Sequence, residues 1–505
     1  VRPGRGRHGR RGAPRLPSPV IEGNMFRPTR IGRAGALALA LLLLPAAAGA
    51  ADLYVDNTVS ASGSGTLASP FATIQEGINA AAPGDTIWIR GDAGGRAYPE
   101  DLSLSVPGTA AAPITVRPYP SEKVVLNGSG NTTLRINQDW WVFDGVDLDQ
   151  NGGAKDAIKV RASHIEIANA EIRNGQREGI SVENAAYVTI RDSYIHDFMW
   201  ISGSTRNDAH CIMVDTSRSP DITDVYVLRN TIERCSGDGT QVFGVTGQDQ
   251  ATYAKNLQFV GNTFRDGTTT AGQTENALDF KAADTVLVQG NTMQGYHNNK
   301  TVVIQKGSRN INFTGNVLSD GLSGLEMRQE GGAAFLQTGN RVTGNTVHNM
   351  STYGMRFDGL VDLTLTGNTV ADLGDDPFQF ESTLGSTVPS VDGAVIKNNL
   401  IYNVAGTPKG PDLLANAAVG HNGWFRADAG GLADATDTTG TDPGFVNASA
   451  ADYRLSAGSP AIDAGEDLGS AFKGSAPDLG AWEYDPGGTD TTPPAAPTGV
   501  SVTVH

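Results

Sequence analysis

Phe259-Val260-Gly261-Asn262-Thr263-Phe264 and Val288-Gln289-Gly290-Asn291-Thr292-Met293 are one phrase written twice. An apolar residue leads, Gly-Asn sits in the middle, and a second apolar residue closes. The phrase returns at Phe313–Leu318, Val342–Val347 and Leu365–Val370, with variants at Val227–Ile232 and Ile396–Ile401 and looser copies around Asn169 and Asp192. Stepping from 169 through 192, 230, 262, 291, 316, 345, 368 and 399, the spacing runs from 23 to 38 residues and never falls below 23. A fixed minimum with variable excess is what stacked coils of constant circumference produce when some carry loops.

Each unit holds a second phrase: turn residue, small residue, apolar, polar, apolar, polar. Asp156-Ala-Ile-Lys-Val-Arg161, Glu178-Gly-Ile-Ser-Val-Glu183 and Asn276-Ala-Leu-Asp-Phe-Lys281 are three of nine copies. A period of two predicts half-buried strands with the third and fifth positions inward and the fourth and sixth outward. Short strands in stacked units predict an all-β parallel β-helix. The recurrent asparagine suits an internal ladder of identical side chains.

The two outward positions form columns along the stack, on rungs about 4.8 Å apart. In the middle coils carboxylates and cations share one wall: Asp215, Asp238, Asp279, Lys281, Lys300, Glu326, Arg328, Arg356 and Asp358, with His210 at a turn position. The longest insertions follow Asp192 and Asn230 and fall beside this wall. Loops on one face of a solenoid carry binding functions. Carboxylates on neighbouring coils suit Ca²⁺, and Asp238, Asp279 and Asp215 are the donors expected. A cation beside Lys281 would depress its pKa toward that of a usable base.

Around the coils, further segments are legible. Met25, the arginines at 27, 30 and 33, the apolar run Ala36–Leu44 and Ala48-Gly49-Ala50 read as a secretory signal peptide (25–50) cleaved after Ala50, with 1–24 as over-extended translation. Residues 51–140 are expected to hold a cap and the first coils, with a short capping helix N-capped by Ser69 and Pro70 at its first position, and Thr86–Ile89 as the first strand. The coils proper are placed at 141–405 and a closing segment without the repeat at 406–485. Residues 486–505 read as a linker and the start of a truncated fibronectin type III-like module. Nine of the 38 basic residues and one of the 54 acidic residues precede Ala51, so the secreted chain carries a formal charge of −24. That surface repels nucleic acid. No apolar run is long enough for a membrane span, and a monomer is expected. Cys211 and Cys235 are the only cysteines, and the sequence leaves their pairing open.

The segments Leu53-Tyr-Val-Asp56, Gly65-Thr-Leu-Ala-Ser-Pro-Phe-Ala-Thr-Ile74, Pro83-Gly-Asp-Thr-Ile87, Tyr98-Pro-Glu100 and Ala112-Pro-Ile-Thr-Val116 resemble the N-terminus of secreted right-handed parallel β-helix proteins. These include polysaccharide lyases of the pectate lyase and alginate lyase/chondroitinase B types. Ser459-Pro-Ala-Ile-Asp-Ala-Gly465 and Asp478-Leu-Gly-Ala-Trp-Glu-Tyr484 resemble their closing segment, so the likeness spans about 52–485. The resemblance implies cleavage of an acidic, uronate-containing polysaccharide by Ca²⁺-assisted β-elimination. It makes Lys281 the strand base; from their places on the charged wall, Arg328 is expected to share in catalysis and Lys300, Arg356, Glu326 and His210 to hold substrate. Asp238-Gly239 resembles the calcium turn of these enzymes, yet the run Asp-Asp-Gly-x-x-Asp is missing. Gln305 stands where the alginate lyase type has an arginine, and Arg328 is two coils from Lys281. The paired aspartates, Gly-His-Gly and Arg-x-Lys of polygalacturonases are not seen. Two other functions fit the same features: a non-catalytic glycan-binding surface protein, and a polyuronate C5-epimerase.

Overall fold

The computed structural model describes residues 49–487, apart from 204, 218–221, 245–251, 267–273, 331–335 and 383–390. Of the expected over-extended start (1–24), signal peptide (25–50) and linker with fibronectin-like start (486–505), only 49–50 and 486–487 lie within the described residues.

Three long sheets, each parallel throughout, wind around one core. The first has 14 strands, from Asp52–Val55 to Ala418–Gly420; the second has 11, from Leu102–Ser103 to Phe378–Glu381; the third has 14, from Arg96–Tyr98 to Thr438–Gly440. Successive coils are in register, so like residues stack: Val242, Phe280, Ile304 and Met327 form one inward file, and Phe259, Val288 and Phe313 another. All are fully buried. The period-two phrase thus builds the second sheet, whose middle strands are β1 (Ile212–Asp215), β2 (Thr240–Phe243), β3 (Leu278–Lys281), β4 (Lys300–Gln305), β5 (Ser323–Met327), β6 (Met355–Asp358) and β7 (Phe378–Glu381).

The Gly-Asn phrase builds the corner between the first and third sheets. Gly261, Gly290, Gly315, Gly344 and Gly367 take φ of 61–66°, a conformation that costs glycine little. The next residue turns its amide inward. Asn262 Nδ2 donates to the Val227 carbonyl at 2.8 Å and to Asn291 Oδ1 at 2.9 Å, and that oxygen also accepts the Asn262 backbone N–H. The pattern runs unbroken from Asn230 through Asn422. Asn169 and Asp192 are not part of it. The register aligns Ala170 and Ser193 with Asn230, while Asn169 and Asp192 occupy the left-handed turn position, at φ of 54° and 52°.

Two boundaries differ from expectation. The capping helix α1 spans Ile74–Ala80, and its N-cap is Thr73, whose hydroxyl accepts the Glu76 N–H while Glu76 accepts the Thr73 N–H in return. Ser69 lies in the preceding turn, and the first strand is Asp52–Val55, paired with Thr86–Ile89. Ile74 and Ile78 cover the open end of the core. Thr73→Ala is expected to lower stability by about 1 kcal/mol, read as a shift of the denaturation midpoint. At the other end the coils continue past 405: Ala418–Gly420, Gly423–Phe425 and Thr438–Gly440 extend the sheets, and Asn422 closes the ladder. Cys211 and Cys235 form a disulfide beside β1.

Candidate active site

The columns read from the sequence stand on the outer face of the second sheet. Gln241, Asp279, Val303, Glu326 and Arg356 are successive partners in the fourth-position file, and Lys281 faces Gln305 in the sixth. A cavity of about 340 Å³ opens over β3–β5 and is lined by Asp279, Lys281, Lys300, Gln305, Arg328, Glu275, Asn276, Asn299, Val303, Lys306 and Glu330. Lys281, Asp279, Lys300 and Arg328 are therefore brought together as expected.

The polar groups form a continuous chain. Lys281 Nζ lies 2.8 Å from Asp279 Oδ2 and 5.7 Å from the centre of the Phe243 ring. Asp279 Oδ1 accepts from Gln305 Nε2 at 2.8 Å, and Gln305 Oε1 accepts from Arg328 Nη2 at 2.8 Å. Glu326 is 1 % exposed and sits beneath Arg328, Arg356, Lys300 and the Tyr353 hydroxyl, at 3.3, 3.4, 3.8 and 2.8 Å. It anchors cations and is not open to substrate, contrary to expectation. His210 is likewise buried, and its Nδ1 accepts the Asp238 backbone N–H at 2.8 Å. Burial, with Lys281, Arg177 and Arg206 nearby, pulls its pKa down to about 3, so it is a neutral structural acceptor. Arg356 leans away from the cavity onto Glu326 and Glu381.

The electrostatics also depart from expectation at Lys281. Burial alone would lower its pKa, but the carboxylates of Asp279, Asp238 and Glu275 outweigh that and raise it. Asp238, fully buried, is pushed well above the carboxylate range by burial and by Asp279. Glu275 is raised mainly by burial, against the pull of Arg206 at 3.2 Å.

The calcium set is not assembled. Asp215 lies two strands from β3, where its Oδ1 accepts the N–H and hydroxyl of Ser217. Among the described residues no three Asp, Glu, His or Cys side chains converge as a metal-binding group. With Lys281 already against Asp279, the residues present do not fit Ca²⁺.

Residues 53–207 match the family described as Pel9A-like, right handed beta helix region. Residues 201–370 and 276–419 match the right handed beta helix region family. The chain is a right-handed parallel β-helix protein that resembles polysaccharide lyases. The chain is 35 % identical over 79 residues to a pectate lyase, PEL9, of Emericella nidulans, a stretch covering 16 % of this chain and 19 % of that one. Among solved structures it is similar to pectate lyase Pel9A (18 % identity, 87 % of this chain, 97 % of that chain, TM-score 0.46). It is also similar to the PL6 family alginate lyase AlyGC (15 % identity, 77 % and 53 %, TM-score 0.50).

Five residues of this β-helix site escaped the sequence reading, among them Glu330, which stands 3.8 Å from Arg328. Lys306 follows β4 in a left-handed turn, outside the six-residue phrase. Glu275 and Asn299 each sit one residue before the turn position. Arg206 reaches Glu275 from a hairpin, Trp200–Ser202 with Thr205–Asn207, inside the first long insertion.

Proposed function

We propose that this chain is a secreted lyase that cleaves an acidic polysaccharide by β-elimination, with Lys281 as the base. One observation carries this: on a strongly acidic protein, Lys281 stands in a polar cavity whose wall holds three further cations, Lys300, Lys306 and Arg328. These suit a uronate carboxylate, whose neutralisation makes the α-proton removable. The Lys281 amine takes that proton from C5. The C–H electrons form the C4–C5 double bond and the C4–O bond breaks toward the leaving sugar. The proton now on Lys281 is available to that oxygen. Likeness to a pectate lyase and to the PL6 family alginate lyase supports the same reaction class.

The assay is ultraviolet absorbance of the unsaturated product on pectate, alginate and chondroitin. Absence of product on all three defeats the reading. Glycan binding without turnover would instead mark a binding module, and deuterium uptake at C5 without cleavage an epimerase.

The raised pKa of Lys281 has a kinetic consequence. Only the free amine can act, and an ordinary lysine is about 0.4 % free amine at pH 8. Turnover at low substrate is expected to climb about tenfold per pH unit from neutrality into the alkaline range. A flat profile between pH 7 and 9 would show that Lys281 does not act as a base.

A further inference from the structure

We infer that this cleft balances its carboxylates with its own side chains and works without a divalent cation, the uronate carboxylate being met directly by Lys300, Lys306 and Arg328. The inference rests on the lyase reading only for its consequence in turnover. Ca²⁺ takes six to eight oxygens, and the two carboxylates able to begin such a shell, Asp238 and Asp279, are already occupied. Gln241 projects between them. Its Nε2 donates to Asp238 Oδ2 at 2.8 Å and stands 3.5 Å from Asp279 Oδ2. The reverse amide orientation would set an oxygen against the Asp279 carboxylate, so Asp279 selects the nitrogen. A donor thus sits where a bridging cation would. Asp279 Oδ2 also holds the Lys281 ammonium and Oδ1 holds Gln305 Nε2. A divalent ion at Asp279 would face the Lys281 charge at close range.

The neighbouring position cannot supply another ligand. A Cβ on Gly237 would lie 2.5 Å from His210 Nδ1 and 3.1 Å from the Ala209 nitrogen, and the His210 ring is held by the Asp238 N–H. The oxygen left over, Asp238 Oδ1, is sealed from solvent and has no partner. One such oxygen falls far short of a calcium shell.

Calcium titration calorimetry on the whole protein tests this without needing turnover. The expected result is no binding that Asp279→Asn removes; surface carboxylates elsewhere bind equally in both proteins. A site with Kd of about 1 mM or tighter that disappears in Asp279→Asn would overturn the inference. Gln241→Asp gives a second arm that does not depend on the folding of Asp279→Asn. Replacing the donor amide by a carboxylate facing both aspartates is expected to raise calcium affinity by about tenfold or more, and failure to do so would show that Gln241 does not close the site. Where a substrate is found, EDTA should leave turnover unchanged, and loss of turnover restored by Ca²⁺ would overturn the inference. An absence of turnover on every glycan defeats the lyase reading while leaving the calorimetric result standing.

Discussion

Lys281→Ala is expected to lower turnover by about 10²–10⁴, the span associated with a positioned general base. The reason is geometric. Among the cations lining the cavity, Lys281 is the one held against Asp279, at 2.8 Å, while Lys300 and Arg328 answer to Glu326. Removing it leaves cations to hold a carboxylate but no amine held at this position to take the proton. If Lys281→Ala keeps full turnover, the mechanism falls and the base has to be sought near Arg328 and Arg356.

An outward strand position by itself predicts that this substitution leaves fold and substrate binding nearly untouched. The ion pair changes that expectation. Asp279 has a side chain only 7 % exposed, and stripping its ammonium leaves a poorly compensated buried charge worth about 1–3 kcal/mol. The chemical and structural roles separate in the double variant Lys281→Met with Asp279→Asn. It removes both charges, keeps the stem volume, and should regain stability without regaining turnover.

The coils were legible because each strand repeats a period-two pattern and each corner repeats Gly-Asn. Those are backbone requirements, and backbone requirements write themselves into sequence. The errors came where one residue type serves two ends. Asn169 and Asp192 look like ladder residues because asparagine and aspartate also tolerate the left-handed turn, one residue before the ladder site. Asn422 was missed although Val419 and Trp424 hold the apolar positions, because His421 replaces the glycine of the phrase and glycines fill both spacers. The cavity was half legible. Columns placed Asp279, Lys281, Lys300 and Arg328 on one wall, yet alternation says only which way a side chain leaves the backbone. It could not say that Glu326 and His210 would be roofed over by their neighbours, nor that a glutamine at 241 would lie between two aspartates. Arg206 comes from an insertion whose path no repeat constrains.

Phe280→Ala provides the contrasting result, a loss of about 3–5 kcal/mol in stability with turnover per folded molecule close to wild type. Phe280 is the inward neighbour of Lys281 and is fully buried. Its ring sits 5.1 Å from that of Phe259 on the first sheet, between Val242 below and Ile304 above. Parallel ladders hold these three rungs at fixed spacing, so the backbone cannot close over the missing ring and the cavity term stays large. Equilibrium denaturation should show a lower midpoint with an unchanged slope. Coupling in a solenoid passes mainly between adjacent coils, so hydrogen exchange should rise first in β2–β4, around the lost ring. A loss below about 1 kcal/mol would mean that this rung is not packed as a core layer, and the cavity built on its outer face would lose its rigid support. The two substitutions, one residue apart on opposite faces of β3, therefore divide the strand between folding and chemistry.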